Sequence, residues 1–142
     1  MNAEDGTRGA RRLVVNVDGG ARGNPGPAAI AAVVSTPDGE VIDRHGELIG
    51  NATNNVAEYR ALLLGIERAR DLGATEVRLI GDSELIVRQV QGTYRVKQAH
   101  LRPLHQQVLE ALKVFDRWRI EHVRRELNAA ADMLVNEALD AA

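Results

Sequence analysis

The order of strand-like and helix-like segments is the feature that most restricts the fold of this chain. Residues 12–18 alternate between apolar and polar side chains and run into Gly19-Gly20, a strand leading into a glycine-rich loop. Residues 28–35 form an apolar run, and residues 40–49 are predicted as a third strand after the tight turn at residues 37–39. Three consecutive strands with short connections predict an antiparallel meander, because parallel neighbours need long crossover connections.

The second half of the chain alternates helices and strands. Thr53 or Asn54 can cap a helix that reaches about residue 72, where Gly73 stops it. Residues 77–81 are apolar apart from Arg78 and form a strand typical of a sheet centre. The remaining expected elements are a helix capped by Ser83 and stopped by Gly92, a helix over residues 100–115, a strand over 118–123, and a helix capped by Asn128. The order β-β-β-α-β-α-α-β-α predicts an α/β fold with a mixed five-stranded sheet, three antiparallel strands and then two parallel ones, flanked by helices.

Length and composition place the chain among small globular proteins. Its 142 residues, 44% of them hydrophobic, suit one domain, which we assign to residues 12–142, preceded by a disordered tail over residues 1–11. There is no cysteine, which excludes thiolate metal sites and fits a reducing compartment, so we expect a cytoplasmic location. No apolar run approaches the roughly 20 residues that span a bilayer, and the first twelve residues lack the apolar core of a signal peptide.

Four carboxylates, Asp18, Glu58, Asp82 and Asp132, lie at the ends of predicted strands or near the starts of predicted helices. Such positions can converge at one rim of a sheet, where several carboxylates remain ionised together only if they share metal cations. Each has an ordinary alternative when taken alone: Asp18 as a turn residue, Asp82 as a capping acid, Glu58 and Asp132 as acids that favour a helix N-terminus. The four together indicate a divalent-metal site of the kind that hydrolyses phosphodiesters.

The distribution of charge is more informative than its sum. The formal net charge is −2, which is unusual for a nucleic-acid-binding protein. Residues 86–107 nevertheless contain four basic residues, two histidines and no acid. This run gives either a local positive field or an ordinary solvated helix face. The glycine-rich loop of residues 19–26 lacks both GxGxxG and GxxxxGK[ST] spacing, which argues against a nucleotide-binding loop.

Four short motifs resemble those of type 1 ribonuclease H, in the same order and with similar spacing. They are residues 18–27 (DGGARGNPGP), 53–59 (TNNVAEY), 81–83 (GDS) and 128–132 (NAAAD). The resemblance covers roughly residues 13–139. The stretches at 92–97 (GTYRVK) and 123–128 (VRRELN) are similar to the short branch, archaeal and actinobacterial, that lacks the long basic protrusion.

The resemblance implies an endonuclease that hydrolyses the RNA strand of RNA/DNA hybrids and leaves 5′-phosphate and 3′-hydroxyl ends. Its cofactors would be two Mg²⁺ ions about 3.5–4 Å apart, with Mn²⁺ as an alternative. By resemblance, Asp18 contacts both ions, Glu58 and Asp82 complete the site on the leaving-group side, and Asp132 holds the ion on the nucleophile side.

The resemblance also assigns substrate contacts. Backbone groups around Gly20, the Asn24 side chain and Glu58 would read the 2′-hydroxyl that distinguishes RNA from DNA. The other implied contacts are Thr53 with a phosphate of the DNA strand, Asn54 and Asn55 with the minor groove, and Tyr94, Arg95 and Lys97 with the DNA strand. Thr53 and Asn54 have the alternative role of helix caps, and Tyr94 the alternative of a buried core residue.

Several residues depart from the family pattern. Glu84 stands where many relatives carry a neutral residue, so it either perturbs metal affinity or faces solvent. Relatives often have a histidine in the loop before the last helix; here His122 falls within a predicted strand, and we assign the auxiliary catalytic role to Arg124. We expect Trp118 in the core. We expect His45, His100 and His105 at the surface, because they lack the spacing of metal ligands.

Other functions remain open at this point. A metal-dependent DNA nuclease of the same fold is one alternative, and a non-catalytic hybrid-binding module is another. Asn24, Asn54 and Asn55 argue against the first because they suit a hybrid minor groove, and four intact carboxylates argue against the second. We expect a monomer that binds an RNA/DNA hybrid and no membrane. A further option is that the chain is one domain of a longer polypeptide.

Overall fold

Five strands form one mixed sheet in a computed structural model that describes residues 9–142. The strands are β1 (Arg12–Ala21), β2 (Gly26–Ser35), β3 (Val41–Ala52), β4 (Glu76–Gly81) and β5 (Arg117–His122), arranged as β3-β2-β1-β4-β5. β1 pairs antiparallel with β2, and β2 with β3, whereas β1–β4 and β4–β5 are parallel. The predicted fold class and order of elements are confirmed.

Among residues 9–142, four α-helices pack against the sheet: α1 (Asn54–Asp71), α2 (Glu84–Gln91), α3 (Arg102–Leu112) and α4 (Ala129–Asp140). Short 3₁₀ turns, Ala99–Leu101 and Arg125–Asn128, precede α3 and α4. Thr53 caps α1 by accepting a hydrogen bond from the Val56 N–H, and Ser83 caps α2 by accepting from the Ile86 N–H. Gly92 ends α2 in the left-handed conformation with φ of 85°, as its glycine identity predicts.

The helices divide between the two faces of the sheet. The main core cluster combines Val15, Val17 and Leu79 from the sheet with residues of α1, α2 and α3. On the opposite face, Val135 and Leu139 of α4 pack against Ala29 and Ala31 of β2 in a smaller cluster. β1 therefore lies between two helical layers.

Gly19 and Gly20 lie inside β1 rather than in a loop after it, which corrects one prediction. β1 continues to Ala21 because Gly19 pairs with Ile30 of β2 and the ladder runs on to the end of the strand. At Gly19 the backbone of α1 is so close that an added Cβ would overlap the carbonyl group of Ala57. The glycine thus brings the N-terminal part of α1 directly against the strand that carries Asp18.

The ends of other elements also differ from the predicted ones. β3 extends to Ala52, α3 is confined to Arg102–Leu112 by the 3₁₀ turn before it, and β5 begins at Arg117 and ends at His122. Residues 1–8 of the predicted tail lie outside the described residues. Arg11, at the end of the predicted tail, is hydrogen-bonded to Thr75 through both its N–H and its carbonyl.

The predicted side-chain environments of Trp118 and Asn128 are wrong. Trp118 is 38% exposed instead of buried, because it lies near the start of the edge strand β5, where less of the helical layer covers it. Asn128 stands at the N-cap position of α4, but its side chain makes no capping hydrogen bond and points to β1 and Asp82 instead. None of the helices among residues 9–142 is long and apolar enough to cross a membrane.

Candidate active site

Four elements bring the predicted carboxylates to one cleft. Asp18 lies in β1, Glu58 in α1, Asp82 directly after β4, and Asp132 in the first turn of α4. β1 and β4 are parallel neighbours, so Asp18 and Asp82 reach the same rim of the sheet. One oxygen from each of Asp18, Glu58 and Asp82 lies within 4.8 Å of the others.

The cleft has a volume of about 430 Å³, and Asp132 lines it together with the other three carboxylates. Glu58 is the fifth residue of α1, so it lies beyond the first turn where a helix N-terminus stabilises an acid most. It is held instead by the Gly19 N–H, which donates to Glu58 Oε1 at 2.7 Å. The close packing of α1 on Gly19 therefore also places this carboxylate beside Asp18.

The electrostatics of the cleft oppose full ionisation. Burial, followed by the charges of Asp82 and Asp132, raises the pKa of Asp18 to about 7. Burial and the charges of Asp18 and Asp82 also raise the pKa of Glu58 well above its usual range, although the Gly19 N–H acts in the opposite direction. Two adjacent acids that are costly to ionise are typical of a functional site.

A divalent cation fits this group of side chains. Carboxylate oxygens are the ligands that Mg²⁺ and Mn²⁺ prefer, and Mg²⁺ commonly keeps water and phosphate oxygens as its other ligands. A cation among Asp18, Glu58 and Asp82 would offset the repulsion that raises the pKa of Asp18. The donor set thus matches the hard, oxygen-liganded metals that the sequence predicts.

Arg125, which the sequence prediction missed, lines the cleft and lowers the pKa of Asp18, against the effects of burial and its acidic neighbours. Arg124 was the predicted auxiliary residue, but its guanidinium is 77% exposed and lies 3.8 Å from Glu126. His122 is exposed at the end of β5. Two adjacent arginines look alike in a sequence; the 3₁₀ turn that begins at Arg125 decides which one faces the carboxylates.

The predicted substrate residues near β1 form a hydrogen-bonded group. Asn54 Oδ1 accepts from the Ala21 N–H at 2.8 Å, and Asn24 Oδ1 accepts from the Asn54 N–H at 3.0 Å. The predicted cap at the start of α1 is Thr53, whose Oγ1 accepts from the Val56 N–H at 3.2 Å. The amide oxygens of Asn24 and Asn54 therefore fix the loop to the helix, while their NH₂ groups remain as donors for a ligand.

A second groove, of about 500 Å³, adjoins the cleft. It is lined by Tyr94, Arg95 and Lys97 and shares Asn55 with the carboxylate cleft. Tyr94 is 45% exposed, which excludes the alternative of a buried core residue, and the Arg88 guanidinium lies 5.8 Å from its ring centroid. The predicted contacts thus border one continuous surface.

A smaller cavity of about 160 Å³ lies beside the groove. Asn24, Thr53, Asn55 and His100 line it. His100 is exposed as predicted, but no sequence pattern indicated that it would lie next to Thr53.

Other predicted residues have structural partners. Glu84 is exposed and forms an ion pair with Arg88 at 3.2 Å, so it faces solvent rather than the carboxylate cleft. His45 pairs with Glu47 in β3. His105 was expected at the surface, but it is partly buried, with Nε2 3.0 Å from the Gln89 carbonyl oxygen.

Comparison with known protein families agrees with this geometry. A family model described as reverse transcriptase-like matches residues 16–138. Ribonuclease HI of Halobacterium salinarum is 46% identical over 129 residues, which cover 91% of this chain and 65% of the relative. A Mycobacterium tuberculosis protein named as bifunctional is 46% identical over 132 residues, which cover 92% of this chain and 36% of the relative. The chain thus spans less than two thirds of the length of these relatives.

Solved structures show the same similarity over the whole fold. RNase H1 from Halobacterium salinarum aligns with a TM-score of 0.90 at 44% identity, over 92% of this chain and 99% of that chain. LC11-RNase H1, isolated from compost and solved in complex with an RNA/DNA hybrid, aligns with a TM-score of 0.87 at 41% identity, over 91% of this chain and 97% of that chain. This chain belongs to the type 1 ribonuclease H family.

Proposed function

We propose that this protein is an endoribonuclease that hydrolyses the RNA strand of RNA/DNA hybrids with divalent cations. The observation that carries the proposal is the convergence of Asp18, Glu58 and Asp82, with one oxygen from each within 4.8 Å. The relative from compost was solved with an RNA/DNA hybrid, which supports the same substrate class for this chain.

Mg²⁺ is the proposed cofactor, with two ions per site and Mn²⁺ as an alternative. When bound, such cations activate a water nucleophile and stabilise the charge that develops on the leaving 3′ oxygen. Asp18, Glu58, Asp82 and Asp132 would hold them. The folded protein would hold these carboxylates close together although they repel one another. Bound cations would then offset that repulsion.

Selectivity for the RNA strand would come from groups beside the carboxylates. The 2′-hydroxyl both donates and accepts hydrogen bonds and is absent from DNA. The backbone at Gly20, the NH₂ group of Asn24 and the carboxylate of Glu58 supply donors and an acceptor for it. Asn54 and Asn55 would contact base edges in the minor groove, where amides read both strands with little dependence on sequence.

The adjoining groove suits the DNA strand. Tyr94 offers an exposed ring against which a sugar can lie, and Arg95 and Lys97 supply positive charge for phosphates. Thr53 lies beside Asn24 in the neighbouring cavity, where its hydroxyl can reach a phosphate while still capping α1. The hybrid would then span from the carboxylates to Tyr94 across Asn55.

Arg125 is our choice for the auxiliary role near the reacting phosphate, in place of Arg124. It lines the cleft and its charge favours the ionised form of Asp18. A guanidinium can hold a phosphate oxygen by paired hydrogen bonds, which suits orientation of the scissile group and release of the 5′-phosphate product.

The proposal is tested by incubating the purified protein with end-labelled hybrid, DNA duplex and double-stranded RNA, with Mg²⁺, with Mn²⁺ and with chelator. We expect cutting of the RNA strand of the hybrid only with metal, and fragments that end in a 3′-hydroxyl. Asp82→Asn should abolish cutting, whereas Asp116→Asn is the matched control, because Asp116 is an exposed acid that directly precedes β5. Cutting of the DNA duplex would favour the alternative nuclease, and hybrid binding without cleavage would leave a binding module.

A further inference from the structure

Asn16, which is half-buried, and Asn128, which is buried, form a polar network beside Asp82 that the proposed mechanism does not use. Asn128 is only 1% exposed. Its Nδ2 donates to the Val17 carbonyl oxygen at 2.8 Å and to Asp82 Oδ2 at 3.2 Å. Its Oδ1 accepts from the Nδ2 of Asn16 at 2.9 Å. Both N–H bonds and the oxygen of this amide are therefore in use.

Asn16 adds to the two acceptors, the Val17 carbonyl and Asp82, that set which way the Asn128 amide faces. An asparagine amide turned by half a rotation exchanges its oxygen and nitrogen while keeping its shape. Turned in that way, Asn128 would direct its oxygen at the Val17 carbonyl and the Asp82 carboxylate, which only accept hydrogen bonds. It would also direct its NH₂ group at the NH₂ group of Asn16. The donor from Asn16 thus favours the orientation in which Asn128 donates to Asp82.

The sheet places this network between the two strands that lead to the cleft. Asn16 precedes Asp18 by two residues, so both side chains lie on the same face of β1. It pairs with Ile80 of β4, which precedes Asp82 by two residues. Asn128 comes from the turn before α4, four residues ahead of Asp132. The network thus joins the elements that carry three of the four carboxylates.

We propose that Asn16 is a positioning residue for Asp82. Acting through Asn128, it holds an N–H donor on one carboxylate oxygen and leaves the other oxygen available to a cation. This inference rests on the proposed function, because it assigns Asn16 to the cation site proposed there. Groups that orient metal ligands typically account for 10–100-fold in metal affinity or activity. Asn16 acts one hydrogen bond further away, so we expect an effect of about tenfold.

The test compares Asn16→Leu with Val14→Leu, a control on the same face of β1. Titration calorimetry would measure the affinity of the substrate-free protein for Mn²⁺, and urea unfolding in chelator would measure its stability separately. We expect Asn16→Leu to weaken Mn²⁺ binding about tenfold and to raise the Mg²⁺ concentration for half-maximal cleavage similarly. Val14→Leu should change neither.

A double-mutant cycle tests whether Asn16 affects Mn²⁺ binding through Asn128. If Asn16 acts through Asn128, the pair Asn16→Leu and Asn128→Leu should weaken Mn²⁺ binding no more than Asn128→Leu alone. If Asn128→Leu does not fold, the Asn16→Leu titration decides by itself. A wild-type protein that binds no Mn²⁺ would overturn the proposed cation site. A wild-type protein that binds Mn²⁺ no better than Asn16→Leu would overturn only the role of Asn16.

Discussion

Removing the charge of Asp18 should stabilise the metal-free protein at alkaline pH while it abolishes catalysis. Asp18 is 4% exposed, and burial together with Asp82 and Asp132 raises its pKa from 3.8 to about 7. Because its pKa is higher in the folded state than in the unfolded state, the folded protein holds an extra proton between these values. Stability is therefore present at low pH and is lost as the pH rises through about 7.

The magnitude follows from the size of the shift. Each pKa unit corresponds to about 1.4 kcal/mol, so the whole shift of Asp18 represents about 4 kcal/mol as an upper limit. Only the part of this free energy that arises above pH 5 is lost between pH 5 and pH 8.5, and that part amounts to about 3 kcal/mol. Glu58, whose pKa is also raised, acts in the same direction. The lowered pKa values of Asp43 and Glu121 take effect at more acidic pH, outside this range.

Urea unfolding in chelator at the two pH values measures this directly. We expect wild-type protein to lose at least about 3 kcal/mol of unfolding free energy from pH 5 to pH 8.5. Asp18→Asn should lose less, and the loss that remains comes from the burial of Glu58. At pH 8.5, Mg²⁺ should recover the lost stability of the wild type but not stabilise the variant, because it lacks a ligand. Equal wild-type stability at both pH values, with no gain in Asp18→Asn, would refute the reasoning.

Three further predictions concern packing, substrate binding and catalysis. Gly19→Ala should lower the unfolding free energy by about 3 kcal/mol, because the added Cβ would overlap the Ala57 carbonyl. Gly20→Ala is the control in the same urea experiment, because the nearest atoms to a Cβ at Gly20 are 4.0 Å away. Lys97→Ala should reduce the slope of log hybrid affinity against log salt by about 1 in a fluorescence titration; an unchanged slope would remove Lys97 from the phosphate contacts. Arg125→Ala should lower kcat for hybrid cleavage by about 10²-fold, and Arg124→Ala should not; the reverse order would restore the role first assigned to Arg124.

Local patterns predicted the architecture because each depends on neighbours in the sequence. The apolar strand that ends at Gly81, the cap at Ser83 and the stop at Gly92 are set by backbone geometry and by hydrogen bonds within a few residues. These signals place the start of α2 directly after Asp82. The carboxylates could be predicted for the same reason, since their positions at the ends of elements are visible in the sequence.

The remaining features depend on contacts between distant segments. Asn128 is a good N-cap by type, yet its amide is used by Val17 and Asp82, which are 111 and 46 residues away. The choice between Arg124 and Arg125 depends on the turn before α4 and on where that turn meets β1. Trp118 has the large apolar side chain typical of a core residue, and it is exposed because β5 is an edge strand.

The most direct test of the central claim is anomalous X-ray scattering from a crystal of the Asp132→Asn variant with Mn²⁺ and a bound RNA/DNA hybrid, beside a wild-type crystal with Mn²⁺ alone. We expect Mn²⁺ peaks in the cleft, in contact with the oxygens of Asp18, Glu58 and Asp82 and with the RNA phosphate that faces Asn24. Hybrid bound with no Mn²⁺ among these carboxylates would contradict it.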